Sequence, residues 1–273
     1  MKISTLRTFF LIAIALVFHL SSSAADPELK KVHYNYLTYL PENYDSTQAN
    51  LYPVIIYLHG RSVSGTDLNR VRRYGLPYFL DHGKKMDFIV VAPQCPWGKR
   101  WSSENWLDSM MVELNTKYRI DNDRIYLTGM SLGGFGTWEL ANMYPNRFAA
   151  IAPMCGGGNT SWADNIYHIP TWVFHGVQDR LVPVLRSDQM VKALEAHHAL
   201  VKYDRLTKKG HDLSRLFDDN EIYSWFAQFT RRPLNEEDEK SLKPLEPIWV
   251  TEVEPLDKIT HPDFTETPEG GVF

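Results

Sequence analysis

A chain of 273 residues that is 44% hydrophobic, with 16 Gly and 16 Pro, is long enough for one domain with a large core. Its formal charge of -4 leaves no basic excess to hold a phosphate backbone, which argues against a nucleic-acid partner.

The first 25 residues differ from the rest. Lys2 and Arg7 make a positive end, Phe9 to Leu20 is apolar apart from His19, and small residues follow up to Ala24-Ala25. An apolar run of 12 residues is shorter than the roughly 20 that a membrane-spanning helix needs. The pattern is that of a signal peptide over residues 1–25, cleaved near Ala25, with an uncleaved anchor as the competing reading. Export to a secreted or periplasmic location follows. Cys95 and Cys155 would then meet oxidising conditions, but each ends a separate strand-like run, so two buried thiols are expected rather than a disulfide.

Residues 26–230 read as a catalytic domain. Val32 to Leu40 alternates like an antiparallel strand. Val54–Leu58, Phe88–Ala92, Ile125–Thr128, Phe148–Ala152 and Thr171–Phe174 are short continuous apolar runs, as in strands buried on both faces. Helical spacing covers Asp67–Leu80, Glu104–Lys117, Leu132–Met143 and Val184–Ala199. Val201–Leu206 reads as a last strand and Asp219–Phe229 as a last helix. Strand and helix alternate, so the expected fold class is α/β, a mostly parallel sheet with helices on both faces. Residues 231–273 hold six prolines and eleven acidic residues. That composition suits neither helix nor strand and reads as an extended arm, with Ile248-Trp249-Val250 apolar enough to dock.

Gly129-Met130-Ser131-Leu132-Gly133, followed by Gly134, has the G-x-S-x-G spacing of a nucleophile elbow, between a predicted strand and a predicted helix. Ser131 must occupy a sharp turn, and the glycines remove side chains that would strike the neighbouring chain. A serine nucleophile needs a base, and the base needs an orienting acid. His211 follows the last strand on a loop, whereas His197 and His198 lie in a helical stretch and His261 in the tail. Asp179 follows the strand Thr171–Phe174 on a turn before a helix. Its rivals Asp188 and Asp204 fall inside regular elements, and Asp164 lies in a Gly-rich loop. His175 precedes the acid and reads as a structural residue at the strand end. For an oxyanion hole, Leu132 N–H comes directly after the nucleophile and Arg61 N–H from the loop His59-Gly60-Arg61-Ser62. His59 itself reads as a loop-shaping hydrogen bonder.

These motifs, with His175-Gly176-x-x-Asp179-x-x-Val182-Pro183 and Gly210-His211, resemble the α/β-hydrolase superfamily. Tyr39-Leu40-Pro41-Glu42-Asn43-Tyr44 and Ala92-Pro93-Gln94-Cys95-Pro96-Trp97 are similar to stretches of secreted feruloyl and acetylxylan esterases and the related predicted-peptidase and phospholipase/carboxylesterase groups. The resemblance covers Val32 to Phe229. It implies a serine ester hydrolase, using neither metal nor organic cofactor, that acts on small esters or esterified oligosaccharides. It departs at Asp212-Leu213-Ser214, where relatives often carry a small residue and an aromatic. Trp97, Trp101 and Trp162 are the expected substrate-binding residues, because they lie in loops after strand carboxyl ends. Arg100 reads equally as a contact for an acidic sugar or as a solvated charge. The competing functions are a peptidase on the same triad and an inactive glycan-binding protein on the same scaffold.

Overall fold

The computed structural model describes residues 32–231. The expected signal segment, the arm after Arg231 and the docking of Ile248–Val250 lie outside the described residues.

Seven strands form one sheet: β1 (Tyr36–Tyr39), β2 (Tyr52–Leu58), β3 (Ile89–Pro93), β4 (Ile120–Met130), β5 (Ala150–Met154), β6 (Thr171–Gly176) and β7 (Val201–Leu206). Their spatial order is β1-β3-β2-β4-β5-β6-β7. Only β1, paired with β3, runs antiparallel; the other five pairings are parallel. The order of the strands is that of a sheet grown outward in both directions from β2 and β4, by crossovers that must carry helices.

Six α-helices supply the crossovers and the outer layers: α1 (Gly75–Asp81), α2 (Trp106–Lys117), α3 (Leu132–Met143), α4 (Ala163–Ile166), α5 (Leu185–Ala196) and α6 (Glu221–Phe226). The period-two alternation of the strands divides the core in two. Val54, Ile56 and Leu58 of β2 point to one face, where they join Trp106 and Met110 of α2, Trp138 of α3 and Met190 of α5. Ile55 and Tyr57 point to the other, with Leu76 of α1 and Ile222 and Phe226 of α6. Cys95 belongs to the first cluster and Cys155 to the second. Both are buried free thiols on opposite faces of the sheet.

The helix expected over Asp67–Leu80 is broken. A 3-10 helix, Leu68–Arg73, ends at the extended residue Tyr74, and α1 begins at Gly75. Gly75 has φ +68, and a Cβ there would meet Tyr57 Oη at 2.0 Å. The tyrosine of β2 occupies the space a continuous helix would need, and only glycine fits the left-handed turn beside it. Helix α4 and the 3-10 helices Thr160–Trp162 and Ser214–Asp218 were not expected, being too short to show a period.

Candidate active site

The carboxyl end of β4 runs directly into α3, and Ser131 is the single residue between them, at φ 59 and ψ -118. Side chains other than glycine rarely occupy such a conformation, and holding it costs on the order of 1–3 kcal/mol. Backbone bonds hold it: Ser131 N–H donates to Met154 O at 3.0 Å, and Phe135 N–H to Ser131 O at 2.9 Å. The elbow has no spare volume. A Cβ at Gly133 would lie 1.9 Å from Leu58 O, one at Gly129 2.5 Å from the same oxygen, and one at Gly134 2.2 Å from Met154 O. Those obstacles are backbone atoms of the two neighbouring strands, which cannot turn aside.

The two N–H groups expected to form an oxyanion hole lie on the segments flanking this serine. Leu132 is the first residue of α3, where N–H groups lack an intrahelical acceptor and the helix dipole is positive. Arg61 opens the 3-10 helix Arg61–Val63 in the loop after β2. Its predecessor Gly60 lies against the serine, since a Cβ on Gly60 would stand 3.6 Å from Ser131 Cβ. His59 shapes that loop. Its Nε2 accepts the Cys95 N–H at 3.0 Å, so its proton is on Nδ1, which donates to Gly60 O at 2.7 Å. Burial pushes the His59 pKa down to about 4, against the opposing hydrogen bond to Gly60.

The loop after β6 carries Asp179, whose carboxylate is fully enclosed. Oδ1 accepts the N–H groups of Leu181 and Val182, each at 2.8 Å. Oδ2 accepts from His211 Nδ1 at 2.7 Å and stands 3.3 Å from His175 Nε2. Burial alone would raise the Asp179 pKa, but the bonds from His175, His211 and Val182 outweigh it and hold the group well below the usual carboxylate range. With Nδ1–H committed to Asp179, His211 keeps Nε2 as its proton-accepting atom.

His211 is carried by the loop after β7, and this loop is pressed close to the end of β6. A Cβ at Gly176 would meet Gly210 O at 2.1 Å, which accounts for the glycine at the end of β6. Two further contacts hold the loop against the elbow. Leu213 N–H points to the sulfur of Met130 at 3.3 Å, and the Cys155 thiol points to His211 O at 3.3 Å. The departure at Asp212-Leu213-Ser214 thus has a structural use: Leu213 is buried, and Asp212 Oδ1 accepts the Ser214 N–H at 2.9 Å.

Comparison with known proteins places the chain in a family. A family model described as "Putative esterase" matches residues 30–189, more than half of the chain. The chain belongs to this esterase family. The matched region contains Ser131 and Asp179, whereas His211 lies beyond it. A bifunctional acetylxylan esterase/xylanase, XynS20E, of Neocallimastix patriciarum is 31% identical over 112 residues, covering 38% of this chain and 16% of that protein. Feruloyl esterase D of Neurospora crassa is 28% identical over 171 residues, covering 57% and 56%. The crystal structure of a thermostable esterase superposes with a TM-score of 0.62 at 30% identity, over 72% of this chain and 59% of that one. The chain spans little more than half of these relatives' length at most. The superposition confirms the α/β-hydrolase fold.

Other expected site residues fall in different places. Trp101 is fully buried, which corrects its expected place on a substrate-binding rim. Its indole N–H donates to His59 O at 3.3 Å, and its ring lies where a Cβ on Gly136 would stand, 2.4 Å from Cδ1. The loop after β3 turns this ring inward because α3 offers it a glycine-sized slot. Trp97 is 59% exposed, and the Arg70 guanidinium lies 5.2 Å from its ring centroid. Trp162 ends a 3-10 helix and is half-buried, its ring and the Met190 sulfur packed over Gly158. Arg100 is neither a solvated charge nor free for a substrate: it pairs with Glu139 of α3, whose other oxygen accepts from Ser102 at 2.8 Å. The rival acids are engaged elsewhere, Asp164 with His197, Asp188 with Arg205 and Tyr203, and Asp204 with the Trp172 indole.

His175 does more than end a strand. Its Nδ1 meets Ser187 Oγ at 2.7 Å, and its Nε2 faces Val182 O at 2.9 Å beside Asp179. Ser187 Oγ in turn reaches Gly156 O at 3.1 Å. Among the described residues, Cys155, His175 and Asp179 form the one grouping of metal-ligand type. Each already serves the hydrogen-bond network around the acid, so the grouping fits a support for Asp179 better than a ligand set.

Proposed function

We propose that the protein is a serine carboxylic ester hydrolase that works through an acyl-enzyme, with Ser131 as nucleophile, His211 as general base and Asp179 as the orienting acid. The observation that carries this reading is Ser131 at φ 59 and ψ -118 between β4 and α3. His211 Nε2 takes the Ser131 proton as Oγ attacks the ester carbonyl. The N–H groups of Leu132 and Arg61 receive the oxyanion, and the His211 imidazolium then protonates the leaving alcohol. Water, deprotonated by His211, attacks the acyl-enzyme and releases the carboxylic acid with Ser131 restored.

The substrate class we propose is an acetyl or feruloyl ester linked to carbohydrate, with Trp97 and Trp162 as its contacts. An acetylxylan esterase and a feruloyl esterase among the relatives support this class. The Lys2–Ala25 pattern supports action outside the cell, and among the described residues no helix is long and apolar enough to cross a membrane. The test is kcat/KM over acetyl, butyryl, palmitoyl and feruloyl esters, with Ser131→Ala as the control. Preference for acetyl or feruloyl esters supports the class, and preference for butyryl or palmitoyl esters rejects it.

A further inference from the structure

One polar group beside the serine has no part in the mechanism above. Tyr74, the extended residue between the 3-10 helix Leu68–Arg73 and α1, returns its hydroxyl to the start of the loop after β2. There it accepts the Gly60 N–H at 2.7 Å. A Cβ on Gly60 would stand 2.7 Å from Tyr74 Oη and 3.6 Å from Ser131 Cβ, so phenol and nucleophile border the same bare Cα. Gly60 has φ -77 and ψ 173, which any residue adopts; its neighbours exclude a side chain, not its torsions. Burial, opposed by hydrogen bonds from Ser62 and Gly60, pushes the Tyr74 pKa up to about 12, so the phenol stays neutral at working pH.

We propose that Tyr74 is a positioning residue for the oxyanion site: by holding the Gly60 N–H it fixes the Gly60 Cα from which the next peptide presents the Arg61 N–H to the substrate carbonyl oxygen. The inference rests on the mechanism proposed above, in which Ser131 attacks and the Arg61 N–H receives the oxyanion. In a trans peptide the Gly60 C=O and the Arg61 N–H lie in one plane and point in opposite directions. His59 Nδ1–H holds that carbonyl at 2.7 Å, and Tyr74 Oη holds the N–H on the other side of the same Cα. Gly60 is therefore clamped at both polar groups, and the direction of the next N–H is set before substrate arrives. A donor aimed in advance needs no reorganisation as charge develops. Without the phenol oxygen, the Gly60 N–H would be free to compete for the substrate or for water, and the plane would be held from one side only.

The test compares Tyr74→Phe, Gly60→Ala and the double variant, using p-nitrophenyl acetate. Rates are taken per site titrated with a fluorophosphonate, so that unfolded protein does not enter. Tyr74→Phe should lower kcat about 10- to 100-fold, less than removal of a whole donor, with KM within about twofold. Affinity for an alkylboronic acid, which forms a tetrahedral anionic adduct, should fall by the same factor. Gly60→Ala should show a similar loss because its methyl displaces the hydroxyl. The double variant should lose no more than the worse single, since both changes remove one hydrogen bond. Three outcomes would overturn the proposal: kcat of Tyr74→Phe within twofold of the parent, a loss confined to KM, or multiplicative losses in the double variant. Should Tyr74→Phe not fold, an unchanged kcat in Gly60→Ala overturns it alone. Failure of the underlying reading looks different, because Ser131→Ala would then still react with the probe.

Discussion

Around Ser131 the site is made of backbone pressed on backbone, whereas around Asp179 it is made of side chains bonded to side chains. The elbow relies on absent atoms: Gly129, Gly133 and Gly134 let β4 and α3 close on the carbonyls of Leu58 and Met154. The acid relies on atoms present, four donors from Leu181, Val182, His175 and His211 converging on one enclosed carboxylate. The strained geometry of Ser131 is thus enforced by the fold itself. The charge relation between acid and base depends instead on a few replaceable groups. Changes on the first side should damage folding and activity together, and changes on the second should damage activity alone.

Asp179→Asn tests that separation with the largest expected effect on rate. The amide keeps the shape of the site but can present an N–H to His211, leaving the imidazole in the wrong tautomer. In a studied serine-protease triad this change costs about 10⁴ in kcat. Here kcat should fall to a similar degree while the melting temperature stays within a few degrees. A variant that unfolds would show that the carboxylate is structural first.

Gly133→Ala is the converse. Its Cβ would stand 1.9 Å from Leu58 O, so β2 and α3 must part. Loss of about 3 kcal/mol or more of unfolding free energy is expected, by the scale of forced overpacking. Urea melts measure it, and a fully stable, inactive protein would contradict the backbone account.

The pH dependence of stability sharpens the comparison, because His59 holds the nucleophile-side loop as a neutral ring. Its folded pKa is about 4, below the ordinary histidine value near 6.5. Above pH 6.5 neither folded nor unfolded chain protonates it. Between about 6.5 and 4 only the unfolded chain takes up the proton, so stability falls as pH falls, by about 3 kcal/mol in all. Asp179, depressed rather than raised, loses its contribution only below the ordinary carboxylate range. His59→Gln should flatten the slope between pH 6.5 and 4, and an unchanged slope would assign it to other groups.

A paired substitution distinguishes the two tryptophans after β3. Trp101→Ala should destabilise by about 3–5 kcal/mol and lower all substrates alike. Trp97→Ala should leave stability within about 0.5 kcal/mol and lower kcat/KM by about 1–3 kcal/mol for feruloyl or oligosaccharide esters, with p-nitrophenyl acetate spared. Equal losses on both substrates would remove Trp97 from the rim.

That pair also marks the limit of what the sequence carries. Helix α3 and strand β7 have the bounds read from the sequence. The elbow was legible for the reason given above: glycines at fixed spacing record where another chain passes. His175 appeared only as a strand end, since its bonds to Ser187 and Val182 and its approach to Asp179 join a strand, a loop and a helix that no local spacing links. Trp101 and Trp97 are four residues apart in one loop, and nothing local states which ring turns inward. The slot at Gly136 decides it, and that glycine is distant in sequence. Tyr74 escaped for the same reason, being placed by the break at Gly75 that Tyr57 imposes.

The central claim is that Ser131 is a nucleophile activated by His211, and covalent labelling tests it most directly. The protein would be treated with a fluorophosphonate, digested and analysed by mass spectrometry, with Ser131→Ala and His211→Ala beside it. The account predicts one adduct per chain, on Ser131, absent in Ser131→Ala and slowed by several orders of magnitude in His211→Ala. An adduct on any other residue, or equal labelling rates in the parent and His211→Ala, would contradict it.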